Sequence, residues 1–202
     1  MGASAEPQRG SRRRRTGRRL LAVFLADRRG AVGIELVEFA LIGPIFIALL
    51  GAILETALAF WAGQVLETAL ADAARQLYTG QFQKDNSATT DKTALLTALR
   101  DKALCQIDGK ARTTVFNCAD VKVDVRTIPQ FTGNGTNSPV SNGAWSSGFG
   151  GNYTNPSAGD IVVVQAAVKY PVFFNLYNPG QGSFTDGSRL LQAAVVFRTE
   201  PY

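Results

Sequence analysis

The chain has 202 residues, 46% hydrophobic and 18% charged, enough for one modest domain with a real core. It has no histidine and only two cysteines, neither in a CxxC pair, which removes histidine triads, dyads and general bases and leaves metal sites almost without support. The net charge of +5 belongs to a tail: residues 1–30 carry nine arginines against Glu6 and Asp27, a net +7, so the other 172 residues carry −2 and do not suggest a nucleic-acid-binding body.

In the arginine-rich opening, "RRLLAVFLADRRG" contains one short apolar run, Leu20 to Ala26. That run ends in Asp27-Arg28-Arg29 and not in a small-residue cleavage site, which disfavours a signal peptide of either the ordinary or the twin-arginine kind. From Phe39 to Leu54 every residue is apolar, Gly or Pro, and the stretch continues to Gly63 with Glu55 as its only charge. Its 25 residues make roughly 37 Å of helix, against about 30 Å of hydrocarbon in a bilayer. A buried core helix is the alternative, but such helices are rarely this long and this apolar. The arginines on one side predict a cytoplasmic N-terminus, with residues 64–202 outside and Trp61 at the outer interface.

Residues 64–79 continue in helical register, with Leu66, Leu70, Ala73, Ala74 and Leu77 on one face and Gly80 as the stop. One helix is predicted from about Ile34 to Thr79, with Pro44 as a place for a kink. A second is predicted over 88–104. Cys105 and Cys118 fall outside the membrane in this topology, where an oxidising compartment favours a disulfide over two free thiols.

"VKVDVRTI" (121–128) alternates, with Val121, Val123 and Val125 facing one way and Lys122, Asp124 and Arg126 the other. Residues 160–174 and 189–199 are also rich in strand formers, and "YNPGQG" (177–182) reads as a turn between them. The expected class is α+β: a long N-terminal transmembrane helix continuing into an extracytoplasmic helix, then a small antiparallel sheet packed on helices. Residues 127–159 hold not one charged residue and are crowded with Gly, Asn and Ser. They read as a flexible surface loop, or as an interaction loop whose aromatics, Phe131, Trp145, Phe149 and Tyr153, dock on a partner. In the second case alanine at Trp145 weakens assembly and leaves thermal stability alone.

"DRRGAVGIELVEFALIGPIF" and "GAILETALAFWAGQVLETALADAAR" resemble the N-terminal stretches of TadE-like proteins of the tight-adherence (Flp) pilus system. "GDIVVVQAAVKYPVF" and "AAVVFRTEPY" look like the last strands of that family, with Thr199 where an Asn is frequent, and the cysteine pair sits where some members have one. The resemblance implies a bacterial inner-membrane protein that is a minor pseudopilin or pilus-assembly component. It implies other pilus-assembly proteins and a prepilin peptidase as partners, and no catalysis.

Some members of that system are cut after a Gly. Gly33 fits, since it leaves Glu38 fifth and Phe39 sixth in the shortened chain; Gly30 is the rival, with Glu35 fifth but Leu36 sixth. The expected parts are a cytoplasmic leader at 1–33, a transmembrane helix at 34–63 and a periplasmic domain at 64–202. Glu38, then Glu35, are expected to neutralise a neighbouring subunit's new α-amino group, and Glu55 to make a helix–helix contact or to reach for the interface. No cofactor, metal, nucleic acid or small-molecule substrate is expected. Two other readings stand beside this one. One is a membrane-tethered extracytoplasmic enzyme or binding domain unrelated to pili. The other is a true pilin or type II secretion pseudopilin.

Overall fold

The computed structural model describes residues 31–131, 135–172 and 184–201, with the backbone alone for 31–34. The arginine leader with Gly30, and the expected turn at 177–182, lie outside the described residues. The chain divides into two units between Leu49 and Leu50. Helix α1, Ala31–Tyr78, begins in the first unit and ends in the second. It is continuous through Pro44, whose missing N–H removes one bond of the helical ladder.

In the first unit every described side chain of α1 is exposed or half-buried. Phe39 is 74% exposed, and Leu41, Ile45, Phe46 and Ile47 are open as well. By length and composition α1 is apolar enough to cross a membrane.

The second unit is α+β. From Gly51 on, one stripe of α1 is buried: Glu55, Ala59, Ala62, Leu66, Ala69, Leu70, Ala73, Ala74 and Leu77. This is the predicted three-and-four periodicity, extended four turns back toward the N-terminus. Fully burying each leucine stabilises the fold by roughly 1.5–3 kcal/mol. Gly80, at φ 71°, closes α1 and opens a short helix α2, Gln81–Asp85, which the sequence reading left unassigned.

The predicted helix at 88–104 is a composite. Asp91 caps α3, Lys92–Ala98, by accepting the N–H of Thr93 at 3.0 Å, and a π-helical segment, Leu99–Leu104, follows. That segment buries Leu99, Ala103 and Leu104 and delivers Cys105 to Cys118, to which it is disulfide-bonded. A hairpin of β1 (Gln106–Ile107) and β2 (Lys110–Ala111) turns on Asp108 and Gly109, both at positive φ.

Three antiparallel strands form the main sheet in the order β3–β6–β7, with β3 at Lys122–Ile128, β6 at Ile161–Tyr170 and β7 at Arg189–Arg198. Val123, Val125, Val162, Val164 and Val168 join the α1 stripe in one core. The opposite face was predicted to be solvated, and Asp124 corrects that, being 1% exposed. Residues 135–153 roof this face, including a hairpin of β4 (Val140–Ser141) and β5 (Ala144–Trp145). Gln165 of β6 fixes the roof by accepting the N–H of Asn137 at 2.8 Å and donating to its carbonyl at 3.1 Å. The edge of β3 is covered too, since Val125 exchanges backbone bonds with Asn152 and Thr154. At the C-terminal end, Thr199 donates its hydroxyl to the Ser157 carbonyl at 2.6 Å and Glu200 donates its N–H to the Tyr78 carbonyl at 3.2 Å, tying the last strand to the end of α1.

Candidate functional site

The helical backbone already includes Gly33, so the Gly33–Ile34 bond lies in the first turn of α1. Glu35 and Glu38 are exposed. With Phe39, Ile42, Gly43 and Phe46 they line one shallow groove along the helix, at three- and four-residue steps. Gly43 makes the dent in that groove: a Cβ there would sit 3.6 Å from the Phe39 ring. Two carboxylates therefore cap a stripe of aromatic and aliphatic side chains, on a helix whose other faces are equally apolar. In hydrocarbon an isolated carboxylate costs several kcal/mol, so such a pair calls for a cationic partner or for the headgroup layer.

Glu55 is set in a different place. It is 8% exposed, inside the second unit. Its charge acts on Tyr170, at the end of β6, whose phenol is pushed up first by burial and then by Glu55. Tyr170 lies opposite Arg189 in the β6–β7 register, and the Arg189 guanidinium pulls the phenol the other way. Arg189 also buries its Nε, which finds no acceptor among the described residues. Tyr170 thus feels opposing charges from a buried acid of α1 and from its cross-strand neighbour Arg189. On the other side of the helix Ile53, Leu54, Leu58, Phe60 and Trp61 stay exposed.

The four loop aromatics separate. Phe131 is 62% exposed. Phe149 and Tyr153 are buried, so neither offers a surface to a partner. Trp145 is half-buried, parallel to Phe149 at 6.2 Å and edge-on to Phe184 at 5.0 Å. Its replacement by alanine should therefore lower thermal stability as well as any assembly. Sequence reasoning also missed Asp124, Gln165 and the Tyr170–Arg189 pair. The one local signal was a charge-free loop facing a strand with an alternating polar face. Among the described residues no group of three or more metal-ligating side chains converges.

These features define an α+β protein with one long apolar helix that can anchor it in a membrane and that carries carboxylates at its start. Residues 33–75, the greater part of α1, match the family model of TadE-like proteins. The match is consistent with a Tad pilus-related protein. No curated protein and no solved structure matches the chain.

Proposed function

We propose that the chain is a non-catalytic component of a tight-adherence pilus machine in a bacterial inner membrane, working as a minor pseudopilin or assembly protein. The observation that carries this reading is the coincidence of the family match, residues 33–75, with the exposed apolar helix and its carboxylates. The proposed span is 34–63. Its arginine leader stays in the cytoplasm, held at anionic lipid by about 1 kcal/mol per cation near the surface, and residues 64–202 lie in the periplasm. The last turns of the span carry the domain on one face and Leu58, Phe60 and Trp61 on the other, which suits a domain resting on the bilayer surface.

In this reading a prepilin peptidase cuts after Gly33, and Glu38 of one subunit neutralises the Ile34 α-amino group of another. Glu35 takes the role if the cut falls after Gly30. The test is deletion of the gene followed by a count of surface pili, with the chain restored in trans. Loss of pili that the wild-type chain restores supports the proposal. A normally piliated deletion strain removes it.

A further inference from the structure

Between α3, the start of β3 and the β4–β5 hairpin lies a cleft of about 580 Å³, within the roughly 300–1,000 Å³ of small-ligand sites. One wall is Trp145, held by Phe149 and Phe184 and so positioned by the fold before any ligand arrives. The Lys122 ammonium stands 4.8 Å from the indole centroid, and Lys169 stands 4.3 Å from that of Phe184. Thr93, Thr97 and the exposed Asp120 also line the cleft.

The charges in this cleft differ in availability. Arg100 is held by Asp101 at 2.7 Å and donates to the Ala119 carbonyl at 3.1 Å. Lys169 is held by Asp186 at 2.8 Å. Among the described residues Lys122 makes no ion pair; its contact is with the Trp145 ring. The cleft therefore offers one aromatic ring with a Lys122 ammonium over it that a ligand can recruit, and a set of groups able to bond hydroxyls. A dense polyanion such as a nucleic acid or polyphosphate would meet Asp101, Asp120 and Asp186 as well as the cations. An acidic peptide would leave the hydroxyl-recognising groups idle.

We propose that the cleft binds a uronic-acid unit of an acidic polysaccharide. The pyranose C–H face takes the place of the Lys122 ammonium over the electron-rich Trp145 ring, the displaced ammonium pairs with the ring carboxylate, and the sugar hydroxyls bond to Thr97 and Asp120. One carboxylate per sugar ring matches the single available ammonium. The site needs only the folded domain and does not depend on the pilus reading.

The test uses the full chain in detergent micelles with Trp61→Phe, which leaves Trp145 as the only tryptophan. The probes are oligogalacturonate, its methyl ester, which keeps the rings and removes the charge, and polyphosphate. The expected result is a saturable change in Trp145 fluorescence with oligogalacturonate. Binding should be about tenfold weaker or worse for the ester, and likewise for Lys122→Gln with the acidic probe, as loss of a charge-assisted bond requires. Lys122→Gln leaves the aromatic cluster in place, so a folding defect does not confuse the result, and its melting curve checks that. No binding, equal binding of the ester, equal binding by the Gln variant, or polyphosphate binding as tightly would each overturn the assignment.

Discussion

The carboxylate of Asp124 accepts the backbone N–H of Gly150 at 2.8 Å, joining a strand to the segment that roofs it. The same carboxylate takes the N–H of Asn152 at 3.1 Å and its side-chain amide at 3.0 Å, and pairs with Arg126 at 2.8 Å. The loop has no charged side chain, so the carboxylate on the sheet's polar face takes its backbone N–H groups and one side-chain amide. Asp124→Ala should cost about 3 kcal/mol, because it strands two buried N–H groups and one cation. Gly150 sits at φ 88°, and a Cβ there would lie 2.8 Å from the Lys122 side chain. Gly150→Ala should therefore cost at least about 1 kcal/mol. Denaturant unfolding of the full chain in detergent measures both, and unchanged midpoints would show that the roof contributes nothing to stability.

Cys105 and Cys118 are bonded across a sequence separation of 13. Closing a loop of this size stabilises by roughly 3 kcal/mol at most. Replacing both cysteines by serine should lower the unfolding midpoint accordingly, and the unreduced wild-type protein should take up no thiol reagent. Two reactive thiols in that protein would refute the bond.

Two phenols link the domain to pH. The Tyr78 phenol is raised, first by its hydrogen bond to the Glu200 carboxylate and next by the charge of that group. Tyr170 is raised first by burial. Because both folded values lie above the unfolded value of about 10, their contribution to stability is complete below about pH 10 and is lost as pH climbs from there through the folded values. Of the five tyrosines in the chain, these two should form tyrosinate late in an absorbance titration. Glu200→Gln should bring Tyr78 back toward the ordinary value. Glu55→Gln should move Tyr170 less, since burial remains. Five phenols ionising together would contradict the assignment.

The long helix was legible because its signal is local. An uninterrupted apolar run, then a repeat of Leu66, Leu70, Ala73 and Leu77, fixes its type and buried face without reference to the rest of the chain. The three main strands were legible for the same reason. Asn142-Gly143 and Asp108-Gly109, both at positive φ, are hairpin signals that the sequence displays and that the reading passed over. Asp124 was not legible. Strand alternation puts it on the polar face, and only the tertiary arrangement covers that face. Glu55 was placed in the span by composition, whereas its burial and its effect on Tyr170, more than a hundred residues on, come from the tertiary arrangement.

The first turn of α1 bears on the proposed processing step. A peptidase must take the Gly33–Ile34 bond out of helical geometry. The opening N–H groups of a helix have no partner within it, and a glycine there weakens the turn by about 1 kcal/mol relative to alanine. Unwinding at this point is therefore cheap, whereas unwinding a turn later would draw Glu35 and Glu38 with it. After the cut, Ile34 carries a cation on the same helix face as Glu38, four residues on. That carboxylate can meet its own chain's amine or a neighbour's. Mass spectrometry of the membrane form should give a chain beginning at Ile34, and Gly33→Leu should abolish the cut. Glu38→Gln should leave the cut intact yet lower incorporation into the pilus machine, more than Glu35→Gln does. A start at Ala31 would move the site to Gly30 and the role to Glu35. A membrane form still beginning at Met1 would end the processing proposal and leave the two acids as headgroup-level charges on an uncut anchor.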